Sequence, residues 1–175
     1  MGSVPEGAGR VRIVVCDTGP ILHLHETGAL ELLAKAGEVF VPPSVDRELA
    51  NQIAGWPDAR PGWIQRGHLT EDDVRQAMQW QSIGGLGAGE AEAIALARAL
   101  RADWLLTDDA GARVVASLLG LEVHGALGII LWAAASGHVH REESFAMLDR
   151  LAASSLWISA RILNEAREAL HRLSP

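Results

Sequence analysis

The chain has 175 residues, enough for one ordinary hydrophobic core and too few for a second full domain. Apolar residues make up 49% and charged residues 21%, which excludes a disordered chain, and the formal net charge of -7 excludes a protein that coats nucleic acid nonspecifically, though not an enzyme that cuts it. The richest apolar runs fall short of the roughly 20 residues that cross a bilayer, and no signal-peptide core opens the sequence, so a cytoplasmic protein with no membrane role is expected.

Residues 1–9 are rich in glycine and small side chains and read as a flexible leader, with a single ordered unit from Arg10 to the end. Val11 to Cys16 reads as a short buried strand, after which Asp17-Thr18-Gly19-Pro20 switches the apolar period to a helix that Gly37 closes. Val39 to Val41 is a second strand, ended by Pro42-Pro43, and Ser44 is placed to cap a helix reaching about Ala54. The tryptophans, prolines and glycines from Gly55 to His68 predict an irregular loop, and Thr70-Glu71 opens a helix to about Gln81. A glycine-rich break over Gly84 to Gly89 precedes an amphipathic helix from Glu90 to Leu100. Trp104 to Thr107 is a third strand, Asp108 or Asp109 caps a helix through Leu119, and Leu121 to Val123 is a fourth strand. Gly125 begins an apolar helix to about Ala135, and two more helices, about 142–152 and 159–173, form a C-terminal extension. Strand and helix alternating in this way predict an α/β fold with a short parallel sheet between helical layers.

Cys16 has no partner for a disulfide and lies in an apolar run, where a cysteine packs as a small hydrophobe. Trp104, Trp132 and Trp157 also sit in apolar runs and are expected in the core, whereas Trp56 and Trp63, in the loop, are expected on a substrate or partner surface. The glycines around Leu86 resemble a dinucleotide loop only superficially, because Glu90 occupies the place of the third glycine and would repel a pyrophosphate. His23/His25 and His138/His140 lack the further ligand that a zinc site needs.

The acidic residues carry the chemistry. Strands of a parallel sheet point their carboxyl ends to one edge, where ligands bind, so Asp17 after the first strand and Asp108-Asp109 after the third converge there. Glu48, Glu90 and Glu92 lie in the opening turns of helices on the same side of the sheet. Each acid alone reads as a helix cap or a dipole partner. Together they repel, by about 4 kcal/mol for a pair about 4 Å apart at an effective dielectric of 20, unless a cation or protons intervene. All-oxygen ligation suits Mg²⁺ or Mn²⁺, and such metals serve phosphate chemistry.

Five motifs occur in order: Val15-Cys16-Asp17-Thr18-Gly19-Pro20, Val41-Pro42-Pro43-Ser44-Val45-Asp46-Arg47-Glu48, Gly87-Ala88-Gly89-Glu90-Ala91-Glu92, Leu105-Leu106-Thr107-Asp108-Asp109-Ala110-Gly111-Ala112-Arg113 and Gly125-Ala126-Leu127-Gly128-Ile129. In this order they resemble the PIN-domain nucleases, in particular the VapC-type toxin ribonucleases of type II toxin–antitoxin pairs. The resemblance implies a PIN-like three-layer fold and a Mg²⁺- or Mn²⁺-dependent ribonuclease acting on RNA. Asp17, Glu48, Glu90 and one of Asp108 or Asp109 would form its acidic set, and Thr18 would hydrogen-bond within the site. It leaves Asp108 and Asp109, and Glu90 and Glu92, as alternatives, and it matches Arg113 to a recurrent arginine that also reads as an ion-pair partner of Asp109. A homodimer and a cognate antitoxin protein are the partners it implies. The rivals are a PIN-shaped binding module with a degenerate site and another Mg²⁺-dependent phosphoryl-processing enzyme. Such enzymes usually place a lysine near the phosphate, and the one lysine, Lys35, lies far along the first helix.

Overall fold

The computed structural model describes residues 10–173; the leader expected over residues 1–9 lies outside the described residues. Five short parallel strands, β1 (Ile13–Cys16), β2 (Glu38–Val41), β3 (Ile64–Arg66), β4 (Trp104–Leu106) and β5 (Val123–His124), lie in the order β3-β2-β1-β4-β5. Parallel sheets are covered on both faces, which is why the central strands are continuous apolar runs. Val14 and Cys16 of β1 join Val39, Val41, Trp104 and Leu106 in the larger core. Val15 and Leu105 point the other way, into a second core.

The larger core is closed by α1 (Thr18–Glu26), α2 (Leu32–Ala36), α3 (Pro43–Gln52) and α8 (Ala126–Ala135), with the short α4 (Trp56–Ala59) at its edge. The other face is covered by α5 (Glu71–Gly84), α6 (Ala88–Ala99) and α7 (Ala110–Leu118). This is the three-layer α/β/α arrangement expected. The last helices, α9 (Arg141–Ala152) and α10 (Ala160–Arg172), pack on α8 and on each other through Leu148, Ala166 and Leu170. Among the described residues no helix is long and apolar enough to cross a membrane.

Several local expectations are corrected. The first helix breaks at Thr27-Gly28, where Gly28 takes a left-handed φ of 67° and the Thr27 hydroxyl bonds to the Leu24 carbonyl. β3 falls inside the segment expected to be irregular. α3 starts one residue before Ser44, with Pro42 as its N-cap, and the Ser44 amide is taken instead by Glu92, at 2.9 Å. β5 lies at Val123–His124 rather than over 121–123. Trp56 is only 2% exposed, its indole N–H donating to Asp46, so it is core and not a partner surface. Trp63 is half-buried against the same core, and Trp157, expected inside, is 84% exposed.

The start of α5 is a capping box in which Thr70 accepts the Asp73 amide and Asp73 accepts the Thr70 amide. Thr70 is exposed and neither residue lines the acidic cavity described below, so Thr70→Ala is expected to cost about 1 kcal/mol of stability and nothing else. The urea midpoint measures it.

Candidate active site

The strand order reverses between β1 and β4, the switch point at which an open parallel sheet leaves a crevice beyond its strand ends. Cys16 and Leu106 pair in register there, and the Asp17 amide donates to the Leu106 carbonyl at 2.9 Å. Asp17 and Thr107 therefore stand abreast. The Thr107 hydroxyl donates to one Asp17 oxygen (2.9 Å) and the Thr18 amide to the other (2.7 Å), so Asp17 is both the N-cap of α1 and the innermost acid of the crevice.

Around it a cavity of about 380 Å³ is lined by Asp17, Thr18, His23, Glu48, Glu90, Asp108 and Asp109. Glu48, one turn into α3, accepts hydrogen bonds from the Thr18 hydroxyl and, at 3.2 Å, from the Gly89 amide. Glu90 reaches back to the amide of Gly87, the N-cap of α6, at 2.8 Å. Asp109 caps α7 through the Ala112 amide at 2.8 Å. Asp108 accepts the first amide of α8, from Ala126, at 2.9 Å and pairs with the His23 ring at 2.7 Å. Each of these acids satisfies a helix amide or a neighbouring hydroxyl, and all five border one cavity.

Glu92 and Arg113 stand apart from this set. Glu92 is committed to the Ser44 amide and does not line the cavity. Arg113 makes no ion pair with Asp109; its guanidinium donates to the Thr107 carbonyl at 3.1 Å and lines an adjoining apolar groove. Two side chains that sequence reasoning passed over enter the site, His23 through Asp108 and Thr107 through Asp17. The position of His23 two turns into α1 from Asp17 was the available signal for the first, and the place of Thr107 at the end of its strand, directly before Asp108-Asp109, for the second.

Electrostatics mark the cavity as short of positive charge. Burial lifts the Asp17 pKa from 3.8 to about 6; the Thr107 and Thr18 hydrogen bonds pull it down, and the charges of Glu90 and Glu48 push it further up. Glu90 is also raised, by burial first, against the pull of the Gly87 amide and with the push of Asp109 and Glu48. Burial, with the charges of Asp17 and Asp108 behind it, pushes the Cys16 thiol upward as well, so it is no nucleophile. Among the described residues no lysine or arginine lines this cavity.

The donor set is chemically suited to a hard divalent cation: every carboxylate offers oxygen, and Asp17, buried at the centre of the set, has hydroxyl and amide donors but no cationic partner. Among the described residues no three of the acidic, histidine or cysteine side chains are gathered closely enough to hold an ion as they stand. The hydrogen bonds above give the reason, since each carboxylate is drawn toward its own amide, hydroxyl or imidazole.

A family model described as a PIN domain matches residues 13–172, which is nearly the whole chain. No curated protein and no solved structure matches it.

Proposed function

The chain belongs to the PIN-domain family, and from that premise we propose that it is a Mg²⁺- or Mn²⁺-dependent endoribonuclease hydrolysing phosphodiester bonds of RNA. PIN domains are a nuclease family, and the reading for this chain is carried by one observation: five carboxylates from four separate segments of the chain border a single cavity that, among the described residues, no lysine or arginine lines. Asp17, Glu90, Asp108 and Asp109 would hold the cation, with Glu48 completing the acidic set. When bound, the cation supplies a water activated at neutral pH and a sink for charge on the leaving oxygen.

The chain's own groups orient that set. Thr107 and Thr18 fix Asp17 with two donors, which leaves further lone pairs on a carboxylate that has about four acceptor sites. The Thr18 hydroxyl turns Glu48 toward the cavity, and His23 holds Asp108 from the α1 side. A cation offered to this cavity competes with backbone amides for the oxygens of Glu90, Glu48 and Asp109.

Purified protein is expected to cut RNA with Mn²⁺ or Mg²⁺, to stop in chelator and to resume when metal is restored. Cleavage that persists in chelator would sink the proposal. The rival, a PIN-shaped binding module, draws on the absence of a preformed three-ligand cluster among the described residues. It takes precedence if no RNA is cut and Mn²⁺ fails to raise the melting temperature. We extend the proposal, on the motif resemblance, to the toxin of a toxin–antitoxin pair acting in the cytoplasm as a homodimer, with a small antitoxin protein as its second partner. Growth arrest on induced expression tests that role.

A further inference from the structure

We propose that Trp157 is a substrate-positioning residue whose indole stacks on a nucleobase of single-stranded RNA while the neighbouring phosphate lies in the acidic cavity. This rests on the nuclease reading above and adds to it the means by which the substrate is held. Trp157 is 84% exposed, an unusual state for the largest apolar side chain, yet it lines the same cavity as Asp17, Glu48 and Glu90. It stands on the wall formed by the segment between α9 and α10.

The segment that carries it is anchored on both sides. The Ser155 amide and hydroxyl both donate to the Glu26 carboxylate, at 2.8–2.9 Å, and the Ser154 hydroxyl accepts the Leu156 amide while donating to the Leu151 carbonyl. Leu156 and Ile158, on either side of Trp157, pack against the larger core. Both neighbours are thus partly buried, while Trp157 between them stays exposed. Ser159 then caps α10 through the Ile162 amide. An indole held out in this way has already lost much of its backbone freedom, so a planar partner gains contact at a small entropic cost.

The cavity also needs such a contact. RNA phosphates approach a wall of carboxylates with no cationic side chain among its lining residues, on a chain of net charge -7. Within this cavity phosphate contacts, the usual source of affinity, are therefore scarce beyond what a bound cation gives, the nearest arginine, Arg113, lying on the adjoining groove. Stacking is insensitive to this charge, and one base on one aromatic face is worth about 5- to 100-fold in affinity. It also demands an unpaired base, which makes single strands the substrate class.

The test is cleavage of a labelled single-stranded oligoribonucleotide in Mn²⁺ by wild type, Trp157→Ala and Trp157→Phe. Trp157→Ala is expected to raise KM by about 5- to 100-fold with kcat nearly unchanged, and Trp157→Phe to keep most of the affinity. Neither should shift the melting temperature. Abasic sites placed along the oligonucleotide should reveal one position where the wild type falls to the level of Trp157→Ala and the variant loses nothing more. An unchanged KM in Trp157→Ala, or the lack of such a position, overturns the inference and leaves the nuclease reading standing. If neither protein cuts RNA, the nuclease reading fails and fluorescence anisotropy decides the inference: weaker oligonucleotide binding by Trp157→Ala sustains it, and equal or absent binding overturns it. A wild-type dimer that Trp157→Ala converts to monomer, with KM unchanged, assigns the indole to an interface between copies and also overturns it.

Discussion

Asp17→Asn is expected to lose nearly all cleavage of RNA and, free of metal, to resist unfolding better than the wild type at neutral pH. Asp17 is 5% exposed, and burial raises its pKa to about 6 from 3.8. A carboxyl with a higher pKa folded than unfolded holds its proton more tightly in the folded state. Its contribution is therefore fully present below about pH 4 and is lost as pH rises through about 6. The rise from 3.8 to about 6 corresponds to about 3 kcal/mol forfeited by pH 8. Asparagine carries no charge to bury, caps a helix as well as aspartate, and keeps an oxygen for the Thr18 amide. Its nitrogen would face the Thr107 hydroxyl, which is able to accept as well as donate. Urea unfolding in chelator at pH 4, 6 and 8 should show a gain for Asp17→Asn that grows from near zero to as much as about 3 kcal/mol. A gain independent of pH would refute the electrostatic cause. With Mn²⁺ the order reverses: the wild type gains stability, the variant does not, and kcat/KM falls by about 100-fold or more. A charge that costs the metal-free fold stability and gains it back with Mn²⁺ would mark Asp17 as a group that serves the site rather than the fold.

How far the sequence foretold this arrangement depends on the range of each interaction. β1, β2 and β4 are legible because a strand buried on both faces is a continuous apolar run, and Asp17 and the Asp108-Asp109 pair are legible because they follow such runs directly. β3 is not, since its three residues include one buried side chain, Ile64, and its existence depends on pairing with β2. Glu48 and Glu90 are visible mainly through motif resemblance. The fold places both on the cavity because α3 and α6 pack together, which no local pattern encodes. Thr107 and His23 enter the site through partners 90 and 85 residues away in the chain. The tryptophans exchange roles for a related reason. Trp56 sits among loop residues but finds buried Asp46 for its N–H, while Trp157 sits between apolar residues that pack on the core and is itself left exposed.

Gly89→Ala should separate activity from stability in the opposite chemical sense, by moving a carboxylate without removing one. Gly89 lies in the first turn of α6, and its φ is not in the left-handed region, so alanine fits the backbone. A methyl group there would sit 2.7–2.8 Å from the two carboxylate oxygens of Glu48. Those oxygens end a flexible side chain, so the clash is relieved by displacing Glu48 from the Gly89 amide and the Thr18 hydroxyl rather than by opening the helix. The fold loses little and regains up to about 1 kcal/mol of helix propensity. Misplacing a site group by about 1 Å is enough to cost on the order of 100-fold in rate, and that is the loss expected in kcat/KM with Mn²⁺, with a melting temperature equal to the wild type or above it. Gly87→Ala is the matched control. The nearest carboxylate atoms at that position, all of Glu90, stay 3.6 Å away, an ordinary contact, so its activity should fall far less. If both variants cut RNA as the wild type does, Glu48 contributes nothing to the reaction from its present position. If Gly89→Ala alone is impaired, glycine at this turn serves the approach of Glu48 to the cavity and not the flexibility of a loop.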